Sequence, residues 1–131
     1  MNNNKKFYIT TPIYYPSGKF HIGTAYTEVF ANTMKKYKQK RGYDSYLLTG
    51  LDEHGQKVAD TAASKGMTPQ DWCDSMEPAF RDVWDLLNIT YTDFVRTTEP
   101  RHAHTVQDFW QKLYDKGYCY KGSYEGWYCV H

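Results

Sequence analysis

Two short strand-like runs with one long helical pattern between them decide most of what this chain can fold into. Phe7-Tyr8-Ile9-Thr10-Thr11 and Tyr46-Leu47-Leu48-Thr49-Gly50 are apolar and do not alternate strictly. That pattern suits strands covered on both faces of a parallel sheet. Between them Ile22, Ala25 and Val29 step by three and four, with Tyr26, Phe30, Met34 and Tyr37 alongside. This spacing predicts a helix over residues 22 to 41 with one broad apolar face, stopped at Gly42. Strand, helix and strand at this separation predict a right-handed βαβ unit and an α/β fold.

The later sequence extends the pattern. Thr68-Pro69-Gln70-Asp71 reads as a helix start, with a capping hydroxyl, a proline in the first turn and an acid near the positive dipole end. Trp72, Met76, Phe80, Val83, Trp84 and Leu87 keep helical spacing from there, and Pro78 inside the run predicts a kink or two shorter helices. Phe94-Val95-Arg96-Thr97-Thr98 is a third strand. Pro100 opens a helix carrying Val106, Phe109, Trp110 and Leu113, ended near Gly117. The tail, Tyr118 to His131, reads as strand or hairpin and breaks off without a stop signal. An aromatic fraction of 18% supplies core material, although the mean hydropathy is −0.79.

Charge and cysteine usage exclude some classes. A net charge of +1 does not indicate a broad nucleic-acid surface. The basic run Lys35-Lys36-Tyr37-Lys38-Gln39-Lys40-Arg41 reads as a solvated helix end whose cations oppose the negative dipole end. No apolar stretch approaches the ~20 residues that span a bilayer. Cys73, Cys119 and Cys129 form no disulfide framework, which fits a reduced, cytoplasmic chain. His102 and His104 sit about 200° apart around their helix, a poor arrangement for holding one metal ion.

Ligands of open α/β sheets bind beyond the carboxyl ends of the strands, and two such ends here are rich in reactive groups. The first runs from Pro12 to Thr24. A helix starting near His21 aims its free N–H groups and positive dipole end at one place, which makes an anion site. There His21 adds a donor and Gly23 leaves room for a ring or phosphate; the bland alternative is a histidine capping its own helix beside a packing glycine. The second end is Thr49-Gly50-Leu51-Asp52-Glu53-His54-Gly55-Gln56-Lys57, where Asp52 can accept bonds from an ammonium group. Glu53 reads as a helix-start acid favoured by the dipole. G-x-G-x-x-G and the phosphate loop G-x-x-x-x-G-K-[ST] are both absent.

The runs TPIYYPSGKFHIGTAYTEV, LLTGLDEHGQKV, FVRTTEPRH and YKGSYEGWYCV, in this order and spacing, resemble bacterial-type methionyl-tRNA synthetases. The likeness covers nearly the whole chain from Lys6 onward. His21-Ile22-Gly23-Thr24 resembles the class I signature histidine-isoleucine-glycine-histidine, with Thr24 in place of the last histidine. Thr24 keeps a hydroxyl for a phosphate and loses an imidazole donor.

The resemblance implies the first half of a class I, Rossmann-like catalytic domain over residues 1–117, and the start of a β-rich connective insertion over 118–131. It implies that Pro12, Ile13 and Tyr15 line a methionine pocket and that Asp52 receives the α-ammonium group. ATP, with Mg2+, would be held by Tyr15, His21, Gly23 and Thr24, with His21 and Thr24 in the catalytic role. Cys129 would match a first zinc-knuckle ligand. The second family signature, lysine-methionine-serine-lysine-serine, does not occur, so this chain alone is expected to activate methionine poorly and tRNA(Met) to be a partner of the full-length protein. An exposed half-core would favour self-association. The alternatives are a small nucleotidyltransferase with the same signature and a non-enzymatic nucleotide-binding module.

Overall fold

A computed structural model describes residues 5–17 and 20–127 of the 131-residue chain. The elements run β1 (Lys6–Thr10), α1 (Ile22–Lys40), β2 (Asp44–Leu51), α2 (Gln56–Ser64), α3 (Pro69–Leu86), β3 (Asp93–Arg96) and α4 (Pro100–Asp115). The three strands form a parallel sheet in the order β1-β2-β3. Phe7 stands opposite Ser45 and Leu48 opposite Asp93. The chain divides between Glu99 and Pro100 into two compact units, the second holding α4 and the segment after it.

The central strand β2 carries the core of the first unit. Leu47 and Leu51 are fully buried with Trp84, and Ala31, Phe80, Ile89 and Phe94 close around them. At Gly50 the neighbouring strand leaves no room for a side chain: a Cβ there would lie 1.9 Å from the Val95 carbonyl oxygen. Only glycine fits that approach.

Helix α1 has the expected length but packs by the opposite face. Thr24, Glu28, Ala31, Asn32 and Lys35 are its buried residues, whereas Ile22 is 88% exposed, Tyr26 74% and Phe30 57%. The buried side is polar because it satisfies the turn between α3 and β3. Asn32 Nδ2 donates to the Asn88 carbonyl at 3.0 Å, and Asn32 Oδ1 accepts from the Thr90 N–H at 3.1 Å. Lys35 donates to the Thr90 carbonyl, and burial lowers its pKa. Lys35 is therefore not part of a solvated helix end.

The expectation of two shorter helices at Pro78 fails, and so does that of a strand over the described part of the tail. Helix α3 continues through Pro78, which sits on its exposed side while Cys73 on one flank and Phe80 and Trp84 on the other anchor the helix in the core. Anchorage on both sides of the proline holds one helix despite the lost backbone bond. Residues 118–127 form no strand, and residues 128–131 of the expected strand or hairpin lie outside the described residues; a strand requires a neighbour to pair with. The other helix start is as expected: Thr68 Oγ1 accepts from the Asp71 N–H at 3.1 Å and donates to Asp71 Oδ2 at 2.6 Å.

Candidate active site

After Thr10 the chain keeps tracking β2. The Thr11 N–H donates to Leu48, the Tyr14 N–H to Gly50, and the Asp52 N–H returns to Tyr14, at 3.0, 3.1 and 2.9 Å. Pro12 has no N–H to give, so pairing lapses there and resumes at the Tyr14–Leu51 bridge. This ladder brings the first strand end beside the second. The Tyr15 hydroxyl meets the Asp52 side chain, and that contact raises the Tyr15 pKa.

His21 is the N-cap of α1, with extended backbone at φ −133° and ψ 165°. Its Nδ1 accepts from the Gly23 N–H at 3.1 Å. The neutral ring must then carry its proton on Nε2, leaving a donor on the far side of the cap. A Cβ at residue 23 would come within 2.9 Å of the His21 Cε1, so Gly23 makes room for the capping ring. The capping alternative is thus present in the geometry, and it fixes which nitrogen can serve a ligand.

A cleft of about 340 Å³ opens here, lined by Ile13, Tyr15, His21 and Thr24 among others. Asp52 reaches its edge through Tyr15. Pro12 is exposed and outside the lining, its carbonyl oxygen 2.9 Å from Thr11 Oγ1. Tyr14, Ser17, Phe20, Lys57 and Phe80 also line the cleft and were not expected as site residues. Tyr14, Ser17, Phe20 and Lys57 had a signal, since they lie inside the quoted runs. Phe80 had none beyond its place on the core stripe of α3. It reaches the cleft because Phe20 packs edge-on against it, centroids 4.2 Å apart. The Trp72 indole N–H also donates to the Pro16 carbonyl at 2.6 Å, tying this loop to α3. Cys129 lies outside the described residues, among which no cluster of His, Cys, Asp and Glu is placed to hold a metal ion.

Residues 7–131 match the family of class I tRNA synthetases (M). The chain belongs to the class I tRNA synthetases. It is 50% identical over 130 residues to a methionine–tRNA ligase of Clostridium acetobutylicum, covering 99% of this chain and 20% of that protein. It is 52% identical over 126 residues to the corresponding ligase of Halalkalibacterium halodurans, covering 96% of this chain and 19% of that protein. Among solved structures, Mycobacterium tuberculosis methionyl-tRNA synthetase in complex with methionyl-adenylate superposes with a TM-score of 0.84 at 34% identity, over 86% of this chain and 22% of that one. This synthetase chain therefore spans about a fifth of the length of the curated relatives it matches. Its α/β architecture is the class I Rossmann-like fold.

Behind the cleft wall of this class I synthetase chain lies a second polar group. Glu28 is fully buried, one turn beyond Thr24 on α1. Its Oε1 is 3.0 Å from Thr11 Oγ1 and also contacts Thr49 Oγ1, and the two threonine hydroxyls are 2.9 Å apart. Burial raises the Glu28 pKa, against the hydroxyls of Thr49, Thr11 and Tyr14. Tyr14 is likewise pushed up, first by burial and then by Glu28. The Tyr14 hydroxyl lies close enough to Glu28 to oppose the rise in the Glu28 pKa, yet neither it nor Glu28 Oε2 has a partner in bonding geometry among the described residues. The other buried acid, Glu53, is not merely a helix-start charge. Arg96 Nε donates to its Oε1 at 2.6 Å, and the same guanidinium bonds Asp74 at 2.5 Å and Glu77 at 3.0 Å. Cys73 is packed beneath this group, its thiol pushed up to about 11 by burial.

Proposed function

We propose that this chain forms the substrate-gripping part of a methionine-activating class I synthetase, holding methionine beside ATP. The observation that carries the reading is the convergence of Ile13, Tyr15, His21 and Thr24 on one cleft with Asp52 at its edge. The Asp52 carboxylate accepts the α-ammonium group, and Ile13 and Tyr15, with Pro12 behind them, form the wall for the side chain. The Nε2–H of His21, the Thr24 hydroxyl and the free N–H groups opening α1 take the phosphates. Tyr15 and the glycine backbone at residue 23 border the nucleoside.

In the reaction a methionine carboxylate oxygen forms a bond to the α-phosphorus, and the bond to the pyrophosphate oxygen breaks. The methionyl group then passes to the 3′ end of tRNA(Met) with AMP as leaving group. Neither step needs a protein nucleophile; the residues of this chain act by placing the reactants and by offering donors to the charge that builds on phosphorus. Hydroxyl and imidazole donors suit phosphate rather than a bare cation, so Mg2+ enters with the nucleotide. A zinc site would need Cys129 and further ligands. Cytoplasmic location and self-association through the exposed face of α1 belong to the same proposal.

Calorimetric titration with methionine, and separately with ATP, tests it. Asp52→Ala should weaken methionine binding by about 1.5–3 kcal/mol, roughly ten- to a hundredfold, and leave ATP binding unchanged. Binding of ATP without methionine in the unaltered chain would point instead to a nucleotidyltransferase. Pyrophosphate exchange by this chain alone is expected to stay far below the rate of a whole synthetase.

A further inference from the structure

Glu28 is a buried acid that the reading above does not use. Four oxygen–oxygen contacts join it with Thr11, Thr49 and the Pro12 carbonyl: Glu28 to each threonine, threonine to threonine, and Thr11 to Pro12. The two hydroxyls own only two protons. An ionised Glu28 would draw both onto Oε1, leaving the Pro12 carbonyl and the Thr11–Thr49 contact without a donor. A protonated Glu28 adds the third proton. Donation then runs in one direction, from Glu28 to Thr49, from Thr49 to Thr11, and from Thr11 to the Pro12 carbonyl. Three of the four contacts then have a donor and the Glu28–Thr11 contact alone lacks one, against two without a donor in the ionised form.

We propose that Glu28 is kept as a neutral acid heading this chain of hydroxyls, and that it thereby positions the Ile13–Tyr15 wall of the cleft and Pro12 behind it. Three observations converge on it. Glu28 is fully buried, and among the described residues its near polar neighbours are hydroxyls. Tyr14, the titratable side chain facing it, lines the cleft, and its hydroxyl lies toward Glu28. Pro12, just before the wall, has its carbonyl as its only backbone hydrogen-bonding group, and Thr11 Oγ1 meets it. Glu28 thus reaches this segment at two points, Tyr14 and, through Thr11, Pro12, while touching no ligand: it is a positioning residue. Naming that wall a methionine pocket rests on the proposed function; the protonation state and the positioning do not.

The test uses the full chain and three variants, Glu28→Gln, Glu28→Ala and Thr49→Val. Infrared difference spectra at pH 7, unaltered chain minus Glu28→Gln, should show the carbonyl stretch of a protonated carboxyl. In NMR spectra the Ile13 methyl and Tyr15 ring signals should stay in place in Glu28→Gln, whose amide both donates and accepts. Those signals should move in Glu28→Ala and in Thr49→Val, which breaks the chain one step on and serves if the alanine variant does not fold. Methionine affinity should hold within about twofold in the glutamine variant and fall about tenfold in the other two, as for the loss of one hydrogen bond. A carboxylate band alone, or Ile13 and Tyr15 signals that move as far in Glu28→Gln as in Thr49→Val, overturns the inference. A protonated band and the expected NMR pattern, in a chain with no methionine affinity, would sink the methionine reading and leave Glu28 as assigned.

Discussion

Glu28 and Glu53 are both buried in the first unit of this chain, and they solve the same problem in opposite ways. Glu53 meets a cation: Arg96 bonds it at 2.6 Å and also reaches Asp74 and Glu77 at 2.5 and 3.0 Å. Glu28 meets hydroxyls, and its pKa is raised by burial. A buried charge costs several kcal/mol unless it is paired, and a group without a partner sheds the charge instead. The paired acid therefore belongs to the frame, tying the segment after β2 to Arg96 of β3, which also holds α3 through Asp74 and Glu77. The neutral one stands behind the cleft, where uncompensated charge would disturb a ligand.

Breaking the pair should have the largest effect. Arg96→Met leaves Glu53 buried without its cation and should lower the unfolding free energy by about 3–5 kcal/mol in urea titration. Glu28→Ala deprives two threonine hydroxyls of their partner and should cost about 1–3 kcal/mol; a loss as large as that of Arg96→Met would erase the contrast between the two acids. The pH dependence separates them more finely. Folding raises the Glu28 pKa above its ordinary 4.5, so its share of stability is complete below that value and fades as pH climbs through the folded pKa. Unfolding curves of Glu28→Gln and of the unaltered chain, taken from pH 4.5 upward, should diverge with the variant ahead. On the Arg96 side the sign reverses. Hydrogen bonding to Arg96 lowers the Asp74 pKa below 3.8, so that contribution is full above 3.8 and lost as pH falls through the folded value. Asp74→Asn, at a side chain half open to water, should cost less than about 1 kcal/mol at pH 7 and nothing measurable in strong acid.

How legible these features were depended on what each residue packs against. The strands and helix starts could be read because period, capping hydroxyls and prolines act locally; Thr68 and Pro69 opening α3 are an instance. The packing face of α1 was misread, since an apolar stripe is informative only when its partner surface is apolar too. Asn32 and Lys35 turn inward to satisfy the carbonyls and N–H of the turn at 88–90, a demand set by residues more than fifty positions away. In the cleft, His21 and Thr24 stood out because a helix start announces itself, whereas Phe80 arrives from α3, a separate element later in the chain. Glu28 was not singled out from the sequence; three hydroxyl residues spread over Thr11, Tyr14 and Thr49 leave no spacing signature. The tail alternation of aromatic and small residues suggested a strand, but a strand requires a neighbour.

The outward stripe of Ile22, Tyr26, Val29 and Phe30 on α1 also governs how the chain behaves at the bench. Sulfate and other excluded salts strengthen apolar association, so they should drive this protein out of clear solution well before a chain of equal size with a charged helix face. The buffer, more than the cleft, will then decide which species an experimenter weighs.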